Sequence, residues 1–400
     1  MVTTYNNFWK LWSRALIVSA IMYGSFLVLC FLDTLIKKYR KRGGYWSINS
    51  VEKKQKVRTL AQSLLDDVRL CSLSITSLLF CLTMGALRRT FTNAAAFDIP
   101  QMWWHSLASV IDITFIILFN KFVARRSLKD LGYPAFGTRS GWIPNPKKNL
   151  MRLAYVLCIC AGTHFITPLF YKIFGCFQKI QVFDYSKSSV YQKNGSAGVF
   201  YFFFVQLVCF YINGVDEESH WRGFTKSIYG EEDRKSPIVV YIISGSVYAG
   251  VHALNNGSND IGVYLLVLFN IISEGALWYG LYSTTHDLVG NWYQHDIDDL
   301  FSIWFGATSL AGYALPAGQI APFYIKCKNK WISGGAFGPG GSIIYIFQNL
   351  WTLSVILTLR YIIKHYNTPL SPQENKKFET DQVFEEDFMS SGTFESTSTD

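Results

Sequence analysis

The sequence predicts an all-α fold: a polytopic transmembrane helix bundle of about eight or nine spans, with a disordered acidic C-terminal tail. Half of its 400 residues are hydrophobic and only 16% are charged. The charges fall in blocks between long uncharged runs, which is how a bilayer sorts a sequence. A hydrocarbon core of roughly 30 Å needs about 20 apolar residues per helix and tolerates no unpaired backbone, so each such run reads as one helix.

Taken in order, the apolar runs place spans at Ala15–Ile36, Leu70–Leu87, Met102–Phe119, Leu150–Phe174, Ala197–Val215, Pro237–Leu254, Ile261–Tyr282, Leu288–Leu315 and Ile343–Ile363. The first run ends in a basic stop (Lys37, Lys38, Arg40, Lys41, Arg42), the mark of a retained span and not of a cleavable signal peptide. Residues 50–69 alternate charged and apolar positions at helical spacing, as in a surface or interfacial helix. The eighth run carries His286, Asp287, His295, Asp296, Asp298 and Asp299 in or near its first half. The Gly334–Gly341 segment (GGAFGPGG) lacks the Lys-Ser/Thr ending of a phosphate loop and reads as a flexible turn. From Tyr366 onward Ser, Thr, Glu and Asp dominate, and this solvated tail is expected to be disordered.

The net charge of +9 joins two unlike parts, since the tail is acidic and the rest of the chain is near +15. That excess lies in short loops beside the spans, where it sets topology and attracts anionic lipid. A nucleic-acid footprint would instead cluster basic residues on a soluble face, so nucleic-acid binding is not expected. Ten Lys and Arg lie between Lys37 and Arg69, and seven between Lys121 and Lys148. Both groups are cytoplasmic if the N-terminus is outside, and the Lys179–Lys193 loop is then external. The Asn-x-Ser sequons at Asn194 and Asn256 fall on that same external side. The eight cysteines form no CxxC pair and no metal-ligand spacing, and most sit in apolar runs as small hydrophobes.

Ionisable residues inside spans are costly and mark function by default. The fifth span ends in Asp216-Glu217-Glu218-Ser219-His220-Trp221-Arg222-Gly223. On a helix Glu218 and Arg222 lie one turn apart and pair, while Glu217 projects about 100° away and keeps its carboxylate for proton transfer. In the sixth span Tyr248 and His252 share a face, and in the eighth His295 and Asp299 do. Each pair alone has a plain structural reading: a solvated helix cap, a buried core histidine, a helical ion pair.

Together and in this order, EExxxRG, aromatic-xxx-His and Hxxx(Asn/Asp) on membrane helices resemble the CPBP family of CAAX prenyl proteases and bacteriocin-processing enzymes. Within that family sits the Ras-converting type of CAAX protease, a glutamate-type intramembrane endopeptidase. Glu217, Glu218, Arg222 and Gly223 match the first motif in full, and Tyr248 stands where the family prefers Phe. The run-up Leu281–Trp292 also resembles the family's and favours His295 over His286 as the site histidine. His286 has Gly290 four places on and Asn291 one place late. Arg126–Tyr133 is similar to an amphipathic stretch that often precedes the family core. The resemblance thus divides the chain into an N-terminal region of about three spans (1–125), a protease-like transmembrane domain (126–365, motif core 197–305) and the tail (366–400).

The resemblance implies that Glu217 activates water, that Glu218 is locked by Arg222, and that His252 positions the water. It also implies that His295 and the residue at position 299 face the developing oxyanion, and that no metal or other cofactor takes part. An ionised Asp299 cannot donate to an oxyanion, so its role is either to be protonated or to orient His295. The expected partners are membrane lipids and a peptide or protein substrate, lipidated or not. Three other readings stay open: a non-catalytic scaffold or immunity protein on the same fold, a transporter using Glu274 and its fellow acids as a proton relay, and a zinc protease with Glu217, His252 and His295 as ligands. No HExxH pair is present for the last.

Overall fold

The computed structural model describes residues 2–43, 59–91, 99–128, 130–133, 146–229, 235–253, 260–285, 288–306, 309–310, 313–314 and 320–366. Packing divides the chain into Met1–Ile356 and Leu357–Asp400, and of the second unit only the helical stretch ending at Tyr366 is described. The acidic tail, Asn256, His286 and residues 50–58 lie outside the described residues.

Helices dominate. α1 (Val2–Gly43), α2 (Leu60–Phe91) and α3 (Ile99–Leu118) are followed by α4 (Pro146–Ala161) and α5 (Thr167–Ile173), which are joined through a π turn at Gly162–Ile166. Strand β1 (Phe177–Ile180) leads to α6 (Ser189–Glu218), and a second π turn at Ser219–Phe224 continues it into α7 (Thr225–Tyr229). Next come α8 (Pro237–Ala253), α9 (Ile261–Thr285) and α10 (Leu288–Phe305). The short strands β2 (Ser309–Leu310), β3 (Tyr313–Ala314) and β4 (Phe323–Ile325) precede α11 (Lys330–Ser333) and α12 (Ile344–Tyr366).

Among the described residues seven helices are long and apolar enough to cross a bilayer, and Pro237–Gly250 is a shorter apolar helix. Large side chains such as Ile21, Phe200 and Leu265 are exposed, as lipid-facing positions are. The chain is an integral membrane protein of the polytopic all-α class. Two of the expected spans are not among these seven. α8 has only 17 residues, and α10 ends at Phe305, not Leu315, and carries His295, Asp296, Asp298 and Asp299. Of the interfacial helix expected over residues 50–69, the described part, Leu60–Arg69, forms the first turns of α2 and is continuous with the span.

Small residues let the helices that carry the polar motifs approach closely. A Cβ on Gly214 of α6 would stand 3.0 Å from the Trp292 carbonyl of α10. Gly275 of α9 lies against Gly245 of α8, where a Cβ would meet the Gly245 Cα at 2.9 Å. The N-terminal helices join the same core, with α1 packed on α2 and on α8.

One end of the bundle carries a cap. β1 pairs antiparallel with β4, and the Cys176–Cys327 disulfide joins segments 151 residues apart in sequence with their Cα atoms 5.0 Å apart. The cysteines therefore carry more redox information than their spacing suggests. The glycine-rich segment beneath the sheet is turned tightly and not loosely: Gly334, Gly335 and Gly338 have φ of 78°, 59° and 80°, a region only glycine enters without strain. Asn270 of α9 donates from Nδ2 to the carbonyls of Gly340 and Ser342, both at 2.9 Å, and so ties that segment to the bundle.

Candidate active site

Three helices bring the polar motifs together. Glu217 and Glu218 occupy the last turn of α6, immediately before the π turn. Such turns widen a helix by one residue and recur at functional sites. Here Arg222 still reaches back, and its Nη1 stands 2.9 Å from Glu218 Oε1 with both side chains fully buried. The guanidinium is sandwiched between Tyr248 and Trp278, 4.8 and 5.2 Å from their ring centres, which supports a buried cation.

Glu218 is the hub. Its Oε1 accepts from His295 Nδ1 at 2.8 Å, and its Oε2 accepts from Asn291 Nδ2 at 3.1 Å. Asn291 also donates to the Trp278 carbonyl at 3.0 Å, and the Trp278 ring stands edge-on to His295 with centres 4.8 Å apart. The other ring nitrogen of His295, Nε2, faces Glu217 Oε2 and Asp299 Oδ2, each at 3.5 Å. Glu217 takes a further hydrogen bond from Asn213 Nδ2 at 3.0 Å, one turn earlier on α6.

The adjacent glutamates thus differ in kind. Glu218 is fully buried and held by three groups, whereas Glu217 keeps 27% of its side chain accessible and Asp299 keeps 39%. His252 lies at the far end of α8 with Nδ1 3.0 Å from the Tyr248 carbonyl, and its ring centre is 4.5 Å from that of Tyr248. Electrostatically it is a neighbour of Glu217. A cavity of about 140 Å³ is lined by Tyr248, His252, Glu274, Asp298 and Asp299 together with residues of the cap.

The structure therefore gathers Glu217, Glu218, Arg222, His295 and Asp299 into one contact network and sets His252 at the cavity beside it. Arg126–Tyr133 also reaches the site's flank: Tyr133 donates to Ser219 Oγ at 2.7 Å, and Leu131 O crowds Gly223. Among the described residues no group of three or more His, Cys, Asp or Glu is arranged to hold a metal ion. Asn213, Asn291 and Trp278 join the network without having been singled out as contributors. The two asparagines carried a signal, because each precedes a site residue by one helical turn. Trp278 carried none. No family model, curated protein or solved structure matches the chain.

Proposed function

We propose that this protein is an intramembrane endopeptidase of the glutamate type, acting on a membrane-presented peptide. The observation that supports this most is the division of labour between the paired glutamates: Glu218 immobilised by Arg222, His295 and Asn291, and Glu217 accessible beside His295. Glu217 takes a proton from water, and the hydroxide attacks the peptide carbonyl. The tetrahedral intermediate collapses as Glu217 returns the proton to the leaving amine, so one water is consumed per bond cut and Glu217 is regenerated. His252 donates from Nδ1 to the Tyr248 carbonyl, which leaves Nε2 of the neutral ring as an acceptor that orients the attacking water. His295 Nε2 is the donor standing beside Glu217 for charge that develops there. Asp299, one turn along, orients His295 in preference to facing the oxyanion itself.

The substrate belongs to the membrane-presented class, prenylated or not, and lipid is the surrounding partner. The sequence spacing favours a bacterial cell membrane, and the endoplasmic reticulum is the corresponding site in a eukaryote. The test is a paired assay in detergent micelles on wild type and Glu217→Ala, with prenylated and unprenylated peptides, each with and without a chelator. Cleavage that survives chelation and disappears in the variant is the expected result. Cleavage lost to the chelator would move the mechanism to zinc, and equal cleavage by the variant would overturn the assignment of Glu217. No cleavage by wild type across the peptide panel would favour the non-catalytic scaffold.

A further inference from the structure

The cap and the cavity share their walls. Phe323 on β4, with Phe337, Pro339 and Gly340 of the glycine-rich turn, lines the cavity opposite Tyr248, His252 and Asp299. Hydrogen bonds lash this cap to the helix ends around it. Phe323 N donates to the Gly306 carbonyl at 3.1 Å, and Lys326 N to the Cys176 carbonyl at 2.8 Å. Ile343 N donates to the Trp331 carbonyl at 2.9 Å, and Lys330 pairs with Asp260 at the start of α9. The disulfide closes this belt from Cys176 to Cys327.

The opposite end of the site is filled. Leu131, Trp221, Leu288 and Trp292 are all nearly or fully buried on that flank, with Leu131 O pressed against Gly223. Lys121, Arg125, Arg126 and Lys226 belong to that end of the bundle, with one acid among them, Asp130, whose carboxylate accepts from Ser127 N at 2.8 Å. A disulfide persists only where the compartment is oxidising, and a basic loop end is retained on the cytoplasmic side. The disulfide assigns the cap end to the oxidising side; lysines edge the cap as well (Lys172, Lys179, Lys326, Lys328, Lys330), and it is the larger count of Lys and Arg in the loops from Lys37 to Arg69 and from Lys121 to Lys148 that assigns the other end to the cytoplasm.

We propose that the cavity beside His252 and Asp299 faces the oxidising side of the membrane under a disulfide-clasped cap, and that its peptide is presented from that side. The sidedness and the clasp stand without the proteolytic reading; only the presentation of a peptide rests on it. The substrate class that follows is an exported or lumenal membrane-bound segment, as opposed to one arriving from the cytoplasm.

The experiment uses full-length wild-type protein in right-side-out spheroplasts. Free thiols are blocked with permeant N-ethylmaleimide, and a membrane-impermeant phosphine reductant is added outside, followed by an impermeant polyethylene-glycol maleimide. The expected result is a gel shift of two added chains that requires the reductant and is absent from Cys176→Ser/Cys327→Ser. Labelling only after the membrane is broken would overturn the sidedness, and no reductant-dependent shift at all would overturn the clasp. A second measurement reads the cavity, whose wall includes Ser302 one turn after Asp298 on α10: Ser302→Cys, alongside wild type, is treated with a charged thiosulfonate from outside and, in inverted vesicles, from inside. Modification from outside is expected. Modification only from inside, or from neither face, would overturn the proposed route. None of these readouts uses proteolysis, so an inactive but correctly labelled protein would count against the enzymatic reading alone.

Discussion

Two buried ionic clusters in this bundle are built on opposite plans. One ties α1, α2 and the start of α8 together: Lys235 pairs with Asp67 and donates to Thr34 Oγ1 at 2.8 Å and to the Cys30 carbonyl at 3.1 Å. Thr34 in turn donates to Asp67 Oδ2 at 2.7 Å. One cation meets one anion, and every hydrogen on the ammonium has an acceptor. The other cluster sets three carboxylates, Glu217, Glu218 and Asp299, around one guanidinium and one imidazole, and it adjoins a cavity. A charge set that is neutral and enclosed holds helices together. One with surplus carboxylates and open space is arranged to exchange protons.

The comparison is broken most directly by removing one charge from each side. Glu217→Gln keeps the shape and should lower cleavage by about 10² to 10⁴-fold, the usual scale of a lost general base, while the thermal midpoint in micelles stays near wild type. An active Glu217→Gln variant would put both clusters in the structural class. Lys235→Met should do the reverse. It strands Asp67 in the interior and should cost about 3–5 kcal/mol of stability, read as a lowered thermal midpoint, with the turnover of the surviving folded fraction unchanged. Adding Asp67→Leu should restore most of the loss, because a buried ion pair replaced by apolar side chains is often neutral.

A smaller effect sharpens the first cluster internally. If Asp299 serves by orienting His295, Asp299→Asn keeps a polar partner at Nε2 and should cost about tenfold in kcat, in line with one hydrogen bond to a charged group. A loss as large as that of Glu217→Gln would instead make Asp299 a direct participant in proton transfer.

How much of this was legible in the chain depends on sequence distance. Glu218 with Arg222 and His295 with Asp299 follow from one-turn spacing, and the spans follow from apolar run length. Long-range pairings have no such periodicity. That His295 would turn its two nitrogens to Glu218 and Glu217, more than seventy residues earlier, is a consequence of α10 packing on α6 at Gly214. The Cys176–Cys327 pairing is equally unreadable, since both cysteines look like ordinary apolar positions until β1 and β4 are paired. The shortening of the eighth span is a middle case. Its polar load was visible, but no residue type at Phe305 marks the end of the helix ahead of the paired strands β2 and β3.

The finest test concerns what holds Glu217 in place. Among the described residues, His295 Nε2 stands 3.5 Å from it and Asn213 Nδ2 3.0 Å. The asparagine lies on the same helix and the shorter contact is its own, so it fixes one carboxylate oxygen, Oε1, while Oε2 faces His295. Asn213→Ala removes a partly buried hydrogen bond of about 1.5–3 kcal/mol at most, and water can replace part of it. The expected outcome is a fall in kcat of severalfold with KM and thermal midpoint unchanged, and rescue by Asn213→Gln in part only, because the longer side chain carries its amide past Oε1. An unchanged kcat would mean that His295 alone positions the base, and the contrast between a loosely held Glu217 and a locked Glu218 would become greater still.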